Sequence, residues 1–214
     1  MMVFEEKQIL DIISAALADT CFHRKKNLFY NISNGIAFCI TVEHPGLYYV
    51  RYFIIPLYLP NEAITYTYGK RMNLWWDGKK DGELFFSQLS SGINNNIIPF
   101  FHRIDGLKPL LSFLQQKYTT VSAYFSCPRF RIPLLAAYTA LMIHDEPAFS
   151  KAVLETRKFL SDVVSYSPNV ISQIQSELDT LEKQGILSGL EIDHFYQEQI
   201  IQSINRCFPF HKLS

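Results

Sequence analysis

The feature that most constrains the fold is a two-residue period of apolar side chains that runs from Asn27 to Trp76. Segments rich in aromatic and β-branched residues fill this stretch, and turn residues separate them. Asn34-Gly35 is the strongest short hairpin signal, because both positions of such a turn need a positive φ. His44-Pro45-Gly46 predicts the next turn, and Pro60-Asn61-Glu62 the one after it. The pattern predicts a four-stranded antiparallel meander with strands at Asn27–Ile32, Ile36–Glu43, Leu47–Leu59 and Ile64–Trp76.

Helical patterns flank this sheet. An N-terminal helix is predicted from about Phe4 to Asp19, where apolar residues recur every three or four positions. Ser167 before Pro168 is typical of a helix N-cap, and Ser188-Gly-Leu-Glu191 matches a capping box. After the sheet we predict helices at Glu83–Ile97, Leu107–Tyr118, Arg131–Ile143, Pro147–Val164, Pro168–Gln184 and Leu190–Arg206.

The predicted fold class is therefore α+β, with an N-terminal helix, a four-stranded antiparallel meander and a helical C-terminal part. We predict an α+β domain over residues 1–164 and a C-terminal helical hairpin over residues 165–214 that packs on it. Two apolar helical stripes, beginning at Val170 and Ile192, must each be buried in this hairpin. It is expected to dock on the helix pair Leu134–Leu160 or, as a dimerisation arm, on a second copy, so the protein is a monomer or a homodimer.

Composition and charge exclude several classes of protein. Hydrophobic residues make up 48% and charged residues 19% of the 214 residues, which predicts a packed core. Lys and Arg number 20 and Asp and Glu also number 20, so the net charge is zero and no nucleic-acid partner is expected. The most apolar run, Leu47–Pro60, contains Arg51 and is shorter than the roughly 20 residues of a bilayer span, so no membrane partner is expected.

Cysteine usage and the N-terminus bear on the compartment. Cys21, Cys39, Cys127 and Cys207 are far apart and form no C-x-x-C pair, which argues against a zinc site and indicates a reducing cytosol. The first residues, MMVFEEKQIL, have no basic region followed by an apolar run, so a secretory signal is not predicted. We expect a cytoplasmic protein without a cofactor.

Motifs that could carry out catalysis or bind a metal have simpler structural explanations in this sequence. The catalytic and phosphate-binding signatures G-x-S-x-G, H-E-x-x-H and glycine-rich loops are missing from the sequence. Glu191-x-x-His194 has the spacing of a metal-bundle pair, but such sites need a second pair, so no metal ligand is predicted. Asp145 beside His144 is better explained as a helix N-cap than as part of a base. The basic run His23–Lys26 is interpreted as a solvated strand entry that discourages edge pairing, with phosphate contact as the alternative.

The strand pattern assigns side chains to two faces of the sheet, provided that both hairpin loops have even length. One face then carries Phe29, Ile36, Phe38, Ile40, Val42, Tyr49, Arg51, Phe53 and Ile55, and the other carries Leu28, Tyr30, Ala37, Cys39, Thr41, Tyr48, Val50, Tyr52 and Ile54. The first is predicted to be core. The second is tyrosine-rich, which suits binding because tyrosine offers area and a polar tip at low entropic cost. A covering helix, or a three-residue loop at Pro45-Gly46 that inverts the faces, is the alternative.

Arg51 is a charge on an otherwise apolar strand face. Removing a guanidinium from water without a partner is strongly unfavourable. We therefore predict a carboxylate, backbone carbonyls or an open cavity at the Arg51 guanidinium.

Three stretches of the chain form an ordered series. "FHRKKNLFYN" (Phe22–Asn31) follows the first helix, "YFIIPLYLP" (Tyr52–Pro60) lies in the third strand, and "IIPFFHRIDGLKPLLSFL" (Ile97–Leu114) leads into a short helix. Together they resemble the bacterial domain-of-unknown-function family 4304 over about Glu5 to Leu160. That family places a glycine immediately before Asn27, where this chain has Lys26. The resemblance implies the fold and transfers no site, because the family carries no established catalytic set.

These patterns favour a bacterial protein that is a non-catalytic binding or protein-interaction scaffold, for example of the immunity type, with a protein as its partner. The candidate binding residues are Arg51, Tyr48, Tyr52, Tyr30 and His102. The alternative is an enzyme whose reaction is unknown, with a pocket between the sheet and the helices. Dispersed residues such as Arg51, Tyr52 and His102 would then carry the chemistry.

Overall fold

A computed structural model describes residues 4–60, 63–79, 82–161 and 167–211. The strands are β1 His23–Lys25, β2 Leu28–Ser33, β3 Ile36–Glu43, β4 Tyr48–Pro56 and β5 Tyr68–Trp76. The helices are α1 Phe4–Ala16, α2 Glu83–Gly92, α3 Ile98–Arg103, α4 Leu107–Leu114, α5 Tyr118–Ser122, α6 Arg131–Met142, α7 Glu146–Ser161, α8 Pro168–Gln184 and α9 Gly189–Cys207. A helix, a sheet and a helical C-terminal part follow one another, which confirms the α+β class.

The sheet has five antiparallel strands in the order β1-β2-β3-β4-β5. The meander is confirmed, but the predicted number of four strands is wrong. The additional strand is β1, which pairs with β2 from His23↔Tyr30 to Lys25↔Leu28. Its three residues are all exposed and two are fixed cations, so they show none of the apolar alternation that marks a strand. Their charge suits a sheet edge, because it discourages pairing with another chain.

Turn geometry follows the sequence closely. Asn34 and Gly35 have φ of 49° and 75°, and Ser33 pairs with Ile36, so a two-residue hairpin joins β2 to β3 as predicted. Gly46, with φ of 92°, supplies the left-handed position between β3 and β4. Lys26 has φ of 56° between β1 and β2, at the position where the family resemblance places glycine. Two residues of the turn predicted at Pro60-Asn61-Glu62 lie outside the described residues.

The two sheet faces differ from the predicted assignment. Register within the β2–β3 hairpin is as expected, with Tyr30 opposite Cys39 and Phe29 opposite Ile40. Across β3 and β4 the faces are inverted, because Phe38 and Tyr52 both contact the ring of Phe101 while Glu43 and Arg51 form an ion pair. Four residues, 44–47, connect these strands, so the loop has the even length on which the prediction depended, and loop length alone does not decide which faces match. We call the face that contacts Phe101 the helix-covered face, and the one that carries Arg51 the arginine face.

Contacts between Cα atoms divide the chain into two compact units. The first comprises Met1–Ile55, Thr65–Asp105 and Tyr124–Ser126, and the second comprises Pro56–Ile64, Gly106–Ala123 and Cys127–Ser214. The boundary predicted between residues 164 and 165 falls within 162–166, which lie outside the described residues. The division into residues 1–164 and 165–214 therefore stays a prediction.

The core of the first unit lies between the sheet and helices α1, α2 and α3. Ile9, Leu10 and Ile13 of α1 are fully buried, as the helical stripe predicts. Trp76 of β5 stacks on Phe85 of α2 with ring centroids 5.7 Å apart. A π-helical turn at Ile93–Ile97 joins α2 to α3, and its residues Ile93 and Ile97 are buried.

The second unit is built on α6, in which every residue from Ile132 to Leu141 is buried. Helices α4 and α7 pack on α6, while α8 packs on α7 and α9 on α6. The buried Tyr58 hydroxyl hydrogen-bonds the Thr139 hydroxyl at 2.8 Å. Within the described residues α8 and α9 thus contact the helices of the predicted pair Leu134–Leu160, while the choice between docking and a dimerisation arm stays a prediction.

Helix starts in the second unit match the sequence signals. The Ser167 side chain accepts a hydrogen bond from the Val170 amide, and Ser188 with Glu191 forms a complete capping box. The Asp145 carboxylate accepts from the Ala148 amide at 3.0 Å, so it caps α7 as predicted. The carboxylate of Glu191 is used in its cap.

Candidate functional site

The predicted partner of Arg51 is Glu43. Nε of Arg51 donates to Oε1 of Glu43 at 2.6 Å, and Nη2 of Arg51 reaches Oε2 at 3.5 Å. Glu43 ends β3 and Arg51 lies in β4, so the antiparallel pairing of neighbouring strands brings them together. The two side chains are only 15% and 18% exposed, which makes this a largely buried ion pair. The prediction that a carboxylate would meet the Arg51 guanidinium is confirmed.

A second arginine shares the same carboxylate. Arg71 of β5 lies directly opposite Arg51 of β4, and its Nε donates to Oε2 of Glu43 at 2.6 Å. Like charges placed opposite each other on neighbouring strands repel, so the carboxylate between them is what makes the arrangement stable. Within the described residues Arg71 bonds Glu43 through Nε alone, which leaves its two Nη groups for a further acceptor.

Aromatic rings hold both guanidiniums in place. Cζ of Arg51 lies 5.1 Å from the ring centroid of Tyr66, and Cζ of Arg71 lies 4.8 Å from that of Tyr49. Both distances are within the range of cation–π attraction. Phe53 meets Tyr66 edge to face at 4.9 Å. The guanidiniums are therefore pre-organised by ring contacts as well as by Glu43.

Burial and neighbouring charges have opposite effects on the pKa of the Glu43 carboxyl. Burial raises the pKa of the Glu43 carboxyl, but the hydrogen bonds and positive charges of Arg51 and Arg71 outweigh it, so the pKa lies below its ordinary value. Glu43 is thus ionised at neutral pH and neutralises one of two permanent cations. The cluster retains one positive charge beside a partly exposed guanidinium, since the Arg71 side chain is 43% exposed.

Exposed aromatic residues border this cluster. Trp75, which pairs with Tyr49 across β4 and β5, is 54% exposed, and Tyr66 is 46% exposed. Large exposed rings next to arginine are typical of interaction surfaces. We define the arginine–tyrosine surface as Glu43, Tyr49, Arg51, Tyr66, Arg71 and Trp75.

Tyr48 and Tyr52 do not belong to this surface. They lie on the helix-covered face, where they are 4% and 8% exposed. The Tyr48 ring stacks on His44 at 4.0 Å, and Tyr52 meets Phe101 edge to face at 6.3 Å. Burial, with a smaller effect of Tyr124, raises the pKa of Tyr52 to about 12. The predicted tyrosine-rich binding face is therefore buried at both positions, because helices cover it.

Tyr30 and His102 are separated from Arg51 in different ways. Tyr30 is on the arginine face but is 5% exposed, and burial followed by the neighbouring Cys39 thiol raises its pKa. His102 is an exposed residue of α3 and lines a cavity beside the helix-covered face. The structure thus places the five predicted residues at separate positions, and Arg51 alone belongs to the new cluster.

The cavity beside His102 lies between the sheet and helix α3, as the enzyme alternative requires. Its volume is about 480 Å³, and Cys21, Asp19 and Asp105 line it together with His102. Within the described chain, neither the His102 ring nor the Cys21 thiol makes a side-chain hydrogen bond. Cys21 and His102 are therefore not hydrogen-bonded to each other as a nucleophile and its base would be. Residues 4–60, 63–79, 82–161 and 167–211 also hold no group of three or more metal-binding side chains.

Glu43, Tyr66, Arg71 and Trp75 were not singled out from the sequence as site residues. A partial signal was present, because Arg51 interrupts an apolar alternation, whereas Arg71 lies among Thr, Asn and Trp on the more polar face of its strand. Opposed arginines need a shared carboxylate, and Glu43 at the end of β3 is in reach of both. The sequence alone does not show which residues of neighbouring strands lie opposite each other.

No protein-family model, curated protein or solved structure matches the chain. The helices in the described ranges are all too short or too polar to cross a bilayer. The functional argument therefore depends on the chemistry of the arginine–tyrosine surface and of the cavity.

Proposed function

We propose that the protein is a non-catalytic binding scaffold whose arginine–tyrosine surface holds an acidic segment of a partner protein. The observation that supports this is the placement of two guanidiniums on one carboxylate, which leaves one unbalanced positive charge. An incoming carboxylate at the Nη groups of Arg71 balances it. The interaction is charge-assisted and so is stronger than a neutral hydrogen bond.

The exposed rings favour a protein over a small anion. Trp, Tyr and Arg dominate the residues that carry binding energy at protein interfaces, and Trp75, Tyr66 and Arg71 lie together here. Each guanidinium is fixed by a tyrosine ring and by Glu43 before a partner arrives. Pre-organisation of this kind lowers the entropic cost of association.

The cellular compartment and the oligomeric state are part of the same proposal. The chain acts in a bacterial cytoplasm, as a monomer or a homodimer, in the way that an immunity-type protein acts on its partner. Four free cysteines, two of them buried, suit a reducing compartment. The enzyme alternative is favoured by the cavity beside His102 and is weakened by the missing nucleophile–base pair.

Capture by the full chain with matched variants tests the proposal. Arg71→Glu reverses the free charge and Trp75→Ala removes the exposed ring, while Lys151→Glu and Leu154→Ala make equivalent changes on exposed positions of α7. We expect a protein that wild type and both controls capture from host lysate and that each surface variant captures at least about tenfold less well. Quantitative mass spectrometry of the eluates measures this. Equal capture by all five chains would overturn the proposal, provided that thermal unfolding shows them folded.

A further inference from the structure

The cavity beside α3 has an aromatic wall. Phe101 stacks on Phe22 with ring centroids 6.0 Å apart and contacts Phe38 at 5.1 Å. Phe38 and Phe101 are buried, and both line the cavity, as does the half-buried Phe22. The volume of about 480 Å³ lies in the range of pockets that take small organic ligands. The wall therefore offers aromatic surface to an apolar body of that size.

The polar lining of the cavity carries negative charge. Asp19 follows α1 and Asp105 follows α3, and both line the same space. Oδ1 of Asp105 accepts a hydrogen bond from Nδ2 of Asn34 at 3.2 Å, which orients its carboxylate. His102 is the one basic side chain among the described residues of the lining, which also holds the two carboxylates of Asp19 and Asp105.

We propose that this cavity binds a small organic cation. Its ammonium group is held by the carboxylates of Asp19 and Asp105, and its apolar part lies against Phe22 and Phe101. Aromatic faces attract cations as well as apolar groups, so both walls of the cavity select the same ligand class. The site is independent of the proposed function, because its sheet residue Phe38 belongs to the helix-covered face and the arginine–tyrosine surface to the other.

Binding of paired probes to the full chain tests this inference. The probes are 2-phenylethylamine and other aromatic and aliphatic primary amines, each paired with the alcohol that replaces the ammonium group by a hydroxyl. Calorimetry gives the affinities, and backbone amide shifts in NMR locate the site. We expect the best amine to bind about tenfold or more tightly than its alcohol, as a charge-assisted hydrogen bond to a carboxylate provides. The largest shifts are expected at Cys21, Phe22, Phe101 and His102.

Variants separate the charge from the cavity. Asp105→Asn and Asp19→Asn each remove one carboxylate and keep its shape, so the preference for the amine over the alcohol should fall in both. Asp11→Asn, on an exposed position of α1 outside the lining, should leave that preference unchanged. Equal binding of amines and alcohols, an amine preference that survives both substitutions, or no amine binding at millimolar concentration would each overturn the proposal. None of these outcomes bears on the arginine–tyrosine surface.

Discussion

Glu43 is the residue on which the arginine–tyrosine surface depends. Its carboxylate receives the Nε groups of Arg51 and Arg71, each at 2.6 Å, and it is only 15% exposed. Removing the charge leaves two guanidiniums facing each other across β4 and β5. We expect Glu43→Gln to lower the free energy of unfolding by about 2 kcal/mol at neutral pH, which is the usual size for hydrogen bonds to a charged group. Urea denaturation measures the change, with the exposed Glu155→Gln of α7 as control.

The comparison of wild type with Glu43→Gln also gives a prediction of how stability depends on pH. The folded-state pKa of Glu43 lies below its ordinary value of 4.5, so its contribution to stability is fully present above that value. It is lost as the pH falls through the lower folded-state pKa. The difference in unfolding free energy between wild type and Glu43→Gln should therefore shrink between about pH 5 and about pH 2. A difference that stays constant over this range would show that the carboxylate is not the stabilising group.

Lys26 is a second residue with a local consequence. A side chain at its φ of 56° costs about 1–2 kcal/mol of strain, which glycine avoids. Glycine in turn loses more backbone entropy on folding, and this offsets part of the gain in stability. Lys26→Gly should therefore raise the free energy of unfolding by about 0.5 kcal/mol. The neighbouring Lys25→Gly, in a strand, should lower it. The hydrogen bond from Nε of Arg24 to the Lys26 carbonyl involves backbone at residue 26 and survives the change. A loss of stability in Lys26→Gly would contradict the prediction.

At the scale of elements, the β4–β5 pairing requires a glycine. A Cβ on Gly69 would collide with the Phe53 side chain and the Tyr52 carbonyl, and would lie 2.7 Å from Cα of Phe53. Backbone atoms of a paired strand cannot move aside for the added Cβ as the end of a flexible side chain can. We expect Gly69→Ala to cost about 3 kcal/mol or more by displacing β5 from β4.

Gly46→Ala is the matched control for that change. Gly46 also lies in the sheet region, but nothing is within 4 Å of an added Cβ, so only its φ of 92° opposes alanine. The expected cost is about 1–2 kcal/mol. Denaturant midpoints measure both variants. Equal losses would show that the close approach of β4 and β5 is not what Gly69 serves.

Elements were predictable where a local signal fixes them. Helix α8 runs from Pro168 to Gln184 as predicted, because Ser167 and Pro168 mark its start and the apolar stripe its length. The final predicted strand began at Ile64 but β5 begins at Tyr68, since residues before it alternate without pairing. The face relation between β3 and β4 was not predictable, because it depends on the conformation of four loop residues. For the same reason the partner of Arg51 was expected as a type of group, without a residue number.

At the scale of the whole molecule, the last two helices complete the second unit. The Tyr138 hydroxyl donates to Glu177 of α8 at 3.0 Å, and the Tyr58 ring meets Tyr196 of α9 at 6.5 Å. Truncation after Tyr166 should therefore abolish cooperative unfolding or solubility. A dimerisation arm predicts instead a folded monomer of lower mass, and a chain that keeps both its transition and its mass would contradict both accounts. Light scattering and calorimetry distinguish the three results.

Point variants refine that test without removing a segment. Leu178 is fully buried in α8, so Leu178→Ala should cost about 2–5 kcal/mol. Leu190 is 84% exposed in α9, so Leu190→Ala should leave stability unchanged. If Leu190→Asp lowers the mass in solution while stability is kept, the exposed start of α9 serves a dimer contact.

The central claim is that the arginine–tyrosine surface meets an acidic partner, and site-specific photo-crosslinking in the native host tests it most directly. A photoreactive phenylalanine analogue replaces Trp75 in one chain and Leu154, which is also exposed, in another. The account predicts one discrete adduct from position 75, lost when Arg71→Glu is added, with its crosslinked peptide rich in Asp and Glu. No adduct at position 75, the same adduct from both positions, or an adduct that persists with Arg71→Glu would contradict it.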